Sequence, residues 1–110
     1  MNDGFPLGTS EGVYFYYVRN ENVTRLLLQL KGETISDMLY DDKTGNCWLA
    51  SLTNGVYCVD NNFQIKHHYN KQNTPAYFLT NSVRTLSGDD KGRVWIGTTE
   101  GLLILEPETE

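Results

Sequence analysis

The stretch Val83-Arg84-Thr85-Leu86-Ser87-Gly88-Asp89-Asp90-Lys91-Gly92-Arg93-Val94-Trp95-Ile96-Gly97-Thr98-Thr99-Glu100-Gly101-Leu102 is an altered copy of an earlier one. Ile35-Ser36-Asp37-Met38-Leu39-Tyr40-Asp41 aligns with Val83 to Asp89 at an offset of 48 residues. Gly45 and Trp48 align with Gly92 and Trp95 at 47, and Gly55-Val56 with Gly101-Leu102 at 46. The offset shrinks by one at each of two turns, where single-residue length changes are tolerated. A further partial copy, Gly8-Thr9-Ser10-Glu11-Gly12-Val13, matches Gly97 to Leu102. Each copy reads as an apolar strand ending at Asp41 or Asp89, an Asp/Gly turn, and a strand carrying Trp48 or Trp95. A tight turn at Gly55 or Gly101 then leads to a third strand. In the complete copy Phe63 to Tyr69 is a fourth strand, and polar Asn70 to Ser82 leads onward. Four antiparallel strands per roughly 45 residues is the arithmetic of a β-propeller blade. A parallel solenoid would need longer crossovers. The expected fold is all-β, a partial propeller of about two blades built from four-stranded antiparallel sheets. The back half of one blade falls at 8–30, a complete blade at 33–69, and three strands of another at 79–106. Val23 to Leu30 reads as strand, because so short a helix is marginal in water.

The chain has 110 residues, 39% of them hydrophobic, which is one domain's worth of core-forming sequence. Its formal charge of −5 disfavours nucleic acid, whose binding needs basic side chains to displace counterions. No apolar run approaches the ~18 residues of a membrane span, so no membrane contact is expected of this segment. Met1-Asn2-Asp3-Gly4 lacks the basic and apolar regions of a secretory leader, which leaves the compartment open. Two cysteines are too few for a disulfide framework or a structural zinc site.

Leu79 to Leu102 resembles the two-component regulator propeller repeat. The residues that carry the likeness are Asn81, Val83, Leu86, Asp89, Gly92, Trp95-Ile96-Gly97-Thr98 and Gly101-Leu102. The middle copy departs from that pattern. Glu33 replaces Asn, Trp48-Leu49-Ala50-Ser51 replaces Trp-Ile-Gly-Thr, and Val56 replaces Leu. The first copy keeps Leu7-Gly8-Thr9 but has Phe5 near the Trp position. The resemblance implies the periplasmic sensor region of Bacteroides-type hybrid two-component histidine kinases. In these, two seven-bladed propellers precede a β-sandwich, a membrane helix and the kinase, and many respond to oligosaccharides. The alternative from another class is a propeller scaffold for protein–protein interaction or dimerisation without a small ligand.

Trp48 and Trp95 are expected to pack between successive blades, where a large ring fills the wedge. Asp41 and Asp89 with Gly45 and Gly92 are expected to build turns, since their spacing does not supply the oxygen ligands of a calcium loop. Cys47 and Cys58 are expected to face each other across two strands, in the place of Val94 and Ile104. Two buried thiols are expected ahead of a disulfide, which directly opposed strands would strain. His67 and His68 alternate on a strand and so cannot chelate one metal together. No nucleophile elbow, phosphate-cradling loop or metal cluster is present, so neither enzyme chemistry nor a cofactor is expected. For ligand contact, the hairpins and the inter-blade connectors share one rim. It carries Asn54, Glu100, Tyr77, Phe78 and Arg84: the rings of Tyr77 and Phe78 suit a sugar face but are expected first to cover the blade edge, and Arg84 suits an acidic glycan. Terminal blade faces left apolar predict self-association or contact with further blades.

Overall fold

The computed structural model describes residues 4–25, 30, 32–74 and 78–106. Ten strands follow in order: β1 (Gly4–Thr9), β2 (Gly12–Tyr17), β3 (Asn22–Arg25), β4 (Ile35–Tyr40), β5 (Cys47–Ser51), β6 (Gly55–Val59), β7 (Ile65–Tyr69), β8 (Val83–Gly88), β9 (Val94–Thr98) and β10 (Gly101–Leu105). They form three antiparallel sheets, ordered β1-β2-β3, β4-β5-β6-β7 and β10-β9-β8. The first sheet begins at Gly4, four residues ahead of the expected start at Gly8. Of the stretch Val23 to Leu30, residues 23–25 are strand, 26–29 lie outside the described residues, and Leu30, expected as strand, is in a 3₁₀ conformation.

Local chemistry explains the punctuation. Asp41, Asp60 and Asp89 each turn a carboxylate oxygen back onto the backbone, accepting from Lys43 N, Asn62 N and Lys91 N respectively. This Asx geometry holds a turn without help from the rest of the protein. Gly45 and Gly92 complete the two matching turns at φ +79° and +78°, where an L side chain would be strained. The shared pattern extends to irregularities. β4 is bulged against β5 between Ile35 and Asp37, and β8 against β9 between Val83 and Thr85.

The register places every side chain. Along β5 and β6 the forward face, toward the next sheet, carries the pairs Trp48/Cys58 and Ala50/Val56. The rear face carries Cys47/Val59 and Leu49/Tyr57. Rear residues join Val13, Leu30 and Ile35 in a core between the first two sheets. Forward residues join Val83, Leu86, Val94, Ile96, Leu105 and Phe78 in a second core. Each fully buried side chain of this size contributes ~1.5–3 kcal/mol.

The cysteine expectation needs correcting. Cys47 pairs with Val59, and Cys58 pairs with Trp48. Likewise Val94 pairs with Leu105, and Ile104 with Trp95. A one-residue change of register moves a side chain to the other face of a sheet. The two thiols therefore enter different cores, both buried and not joined in a disulfide. Burial, with a smaller contribution from Cys58, pushes the Cys47 thiol up to about 11.

Candidate functional site

The β5–β6 hairpin, the β9–β10 hairpin and the connectors are bonded together at one end of the sheets. Gly55 N donates to Asn81 O, Leu52 N to Thr34 O, and Thr99 N to Ser82 O. Thr34 Oγ1 donates to Ser10 O. The expected common rim is therefore present, and Asn54, Glu100 and the start of β8 with Arg84 lie along it. Arg84 and Glu100 are exposed, while Asn54 is half-buried with its carbonyl oxygen 2.6 Å from His68 Nε2. Arg84 falls within the β8 bulge, at the position Ser36 holds in the preceding blade. Of the two readings of Phe78 the packing one holds and the ligand contact does not: it is 1% exposed and plugs the core between the second and third sheets. Tyr77 lies outside the described residues.

Beneath this rim lies a polar network that the sequence reading did not assemble. Glu33 Oε1 accepts from Ser51 Oγ at 3.0 Å, and Glu33 Oε2 accepts from Tyr57 OH at 2.9 Å. The His68 ring stacks on Tyr57 with centroids 3.9 Å apart. Burial, then the hydrogen bond and negative charge of Glu33, push the Tyr57 phenol well above the usual tyrosine range. In the outer blades the equivalent hydroxyls do something else. Thr9 Oγ1 donates to Gly12 O and Thr98 Oγ1 to Gly101 O, closing two-residue loops. In the middle blade the loop holds one residue more. There Ser51 Oγ accepts from Thr53 N and Asn54 N, which leaves its proton for Glu33. Glu33 and Ser51 were both visible as departures from the repeat, and that shared irregularity was the only signal of their contact.

Two residues clamp the middle blade to the last. Ser36 Oγ donates to Val83 O at 2.7 Å, and Asp37 Oδ2 accepts from Leu86 N at 2.8 Å. These bonds engage backbone groups of β8, which is the edge strand of its sheet and pairs with β9 on one side only.

At the opposite end, Asp89 accepts from Lys91 N, Arg93 N, Arg93 Nε and Trp95 Nε1. The bond from Trp95, reinforced by those from Arg93 and Lys91, holds its carboxyl well below the usual carboxylate range. A cleft of about 180 Å³ opens there between Tyr40, Lys43, Trp48 and Arg93. Ligand pockets usually run from about 300 to 1,000 Å³. Among the described residues no three His, Cys, Asp or Glu side chains gather as metal ligands. His67 and His68 diverge as expected, one beside Tyr69 and one on Tyr57.

Similarity to known proteins follows this geometry. Residues 77–100 match the family described as two component regulator propeller. A search of curated proteins returned no match. Among solved structures, the extracellular domain of a putative hybrid two component system from B. thetaiotaomicron is 26% identical, with a TM-score of 0.73 over 93% of this chain and 14% of that one. A second such domain from the same organism is 16% identical, with a TM-score of 0.73 over 98% of this chain and 14% of that one. PorZ, a surface component of the type-IX secretion system of Porphyromonas gingivalis, is 21% identical, with a TM-score of 0.75 over 91% of this chain and 15% of that one. The chain thus spans 14 to 15% of the length of these structures. Fold and register define an all-β protein of propeller blades. Its last blade matches the two-component regulator propeller repeat.

Proposed function

We propose that the chain is a segment of the extracytoplasmic sensor propeller of a two-component system, facing the periplasm. It receives an oligosaccharide at the rim that holds Asn54, Arg84 and Glu100 and passes the event to a histidine kinase elsewhere in the protein. The observation that supports this most is the regulator-type repeat at residues 77–100, set in a fold that follows an extracellular sensor-system domain along almost the whole chain. Sugars are recognised by hydrogen-bonding side chains fixed on rigid elements, and the bonded rim offers such a support. In this reading the chain catalyses nothing. Calorimetry against a panel of neutral and acidic oligosaccharides tests it. Saturable heat that Arg84→Ala and Glu100→Ala each weaken at least tenfold is expected. Saturable binding untouched by either substitution would move the site elsewhere, and a silent panel would remove the oligosaccharide. A silent panel would bring forward a second reading, a propeller scaffold for protein–protein interaction.

A further inference from the structure

A buried hydrogen-bond donor without an acceptor lines the cleft between the second and third sheets. Trp48 and Trp95 hold the same register position, opposite Leu39 and Ser87 on their neighbouring strands. Trp95 Nε1 donates at 2.8 Å to Asp89, the residue that opens its turn. Asp41 opens the matching turn beside Trp48, but that turn is one residue longer. The Asp41 carboxylate takes Lys43 N on Oδ1, and among the described residues nothing accepts from Trp48 Nε1. Trp48 is nevertheless only 3% exposed. A buried indole N–H normally finds a partner, so one left open on a cavity wall marks a place for an acceptor from outside the chain. Trp48 and Asp41 both line the cleft, which stands where the other turn makes its direct bond.

The chemistry of the wall selects the occupant. Asp89 and Arg93 neutralise one another in a 2.7 Å ion pair, and the Arg93 guanidinium lies over the Trp95 ring. Lys43 then stands against Asp41 and Asp42, an excess of negative charge that opposes a carboxylate or a phosphate. A cation would leave the Trp48 N–H without an acceptor. An uncharged hydroxyl meets both demands: its oxygen accepts from Trp48 or Lys43, and its proton goes to Asp41 or Asp42. Leu39, Val94 and the exposed ring of Tyr40 add apolar surface, which suits the flat face of a saturated ring. At about 180 Å³ the cleft has the room of roughly six waters, enough for one small ring and too little for a chain of them. We propose that this cleft binds a single uncharged, hydroxyl-bearing ring, the chemistry of a neutral monosaccharide, with Trp48 Nε1 as its buried donor. The site lies at the opposite end of the sheets from Asn54, Arg84 and Glu100 and does not rest on the reading of that rim.

Nuclear magnetic resonance of the ¹⁵N-labelled full chain tests this, because its 2 tryptophans give separate indole N–H signals. Trp95→Phe tells them apart. Glucose, galactose, mannose and xylose are titrated singly, with glucuronate and N-methylacetamide as the acidic and amide comparisons. At least one neutral sugar is expected to move the Trp48 signal saturably, and further than that of Trp95. Tyr40→Ala and Asp42→Ala, both at exposed positions, are each expected to weaken that binding at least tenfold while the amide spectrum stays dispersed. A Trp48 signal that no neutral sugar moves overturns the proposal and leaves the cleft to water. So does a signal moved only by glucuronate or only by N-methylacetamide, and so does a shift that both substitutions leave intact. Sugar binding that Arg84→Ala weakens while the Trp48 signal stays still belongs to the rim, and it overturns the cleft alone.

Discussion

Trp48 and Trp95 occupy the same register position in two successive sheets and live in different worlds. Trp48 is 3% exposed, covered by the third sheet, and stacks on Tyr69 with ring centres 6.1 Å apart. Trp95 is half-buried, ties its indole N–H to Asp89 and carries Arg93 over its ring. The same contrast runs through whole strands. Every residue of β5 and β6 is buried, while only Leu105 of β10 is. A repeat specifies where a ring points, and the neighbouring sheet decides what the ring contributes. Where a neighbour is absent, the ring is held instead by hydrogen bonding and cation–π contact from its own turn.

The strongest way to break that comparison is to truncate both indoles. Trp48→Ala should cost about 3–5 kcal/mol in urea unfolding, as deletion of a buried aromatic ring does. Trp95→Ala should cost clearly less, because its ring is only half-buried. Equal costs would mean that the third sheet does not seal Trp48.

The hairpin glycines give the next largest contrast. Gly55 sits at φ +85° directly after a three-residue loop, and an added Cβ would press into the carbonyl oxygen of Tyr69. Gly101, at φ +126°, has open space around it. Gly55→Ala should cost about 3 kcal/mol and Gly101→Ala about 1–2 kcal/mol, by thermal unfolding.

The network under the middle hairpin has no counterpart in the outer ones. Glu33→Ala strips the partner from two buried hydroxyls and should cost about 1–3 kcal/mol, whereas Tyr57→Phe should cost about 1 kcal/mol. The double variant should cost less than the sum, since both changes break the same bond. Alkali probes the same residues. The folded state holds the Tyr57 proton more tightly than the unfolded chain, where tyrosine titrates near about 10. Its contribution is complete below that pH and is lost as pH rises above it. Tyr57→Phe should flatten the alkaline limb of the stability curve.

Asp89 gives the smallest effect and the opposite sign. Its carboxyl is held low in the folded state, so its contribution is complete above the ordinary aspartate value near about 4 and is lost as pH falls below it. Asp89→Asn should flatten the acid limb while leaving the alkaline limb unchanged.

Much of this architecture is legible in the residues. Turn chemistry is local, so Asp41, Asp89, Gly45 and Gly92 announce their turns wherever they stand. The shrinking offset between copies is real as well: the middle hairpin spans Leu52-Thr53-Asn54 where the last spans only Thr99-Glu100. Three features escaped. The cysteine pairing was misplaced because a hairpin centre half a residue off reverses the face of one strand. In the sequence Tyr77 and Phe78 stay between rim contact and cover of the blade edge, because nothing in a polar connector says which ring turns inward. The Glu33–Ser51 contact joins positions 18 residues apart, and only the extra loop residue brings the serine proton to the carboxylate.

By itself the sequence determined the local and the periodic: strand and turn order, the repeat, and which positions of each sheet carry rings. Those follow from backbone preferences and a two-residue alternation that each segment carries alone. Tertiary structure alone decided which face of each sheet is covered, which thiol enters which core, and which departures from the repeat compensate one another. Burial and hydrogen-bond partnership depend on what a second sheet brings within contact, and no single segment holds that information.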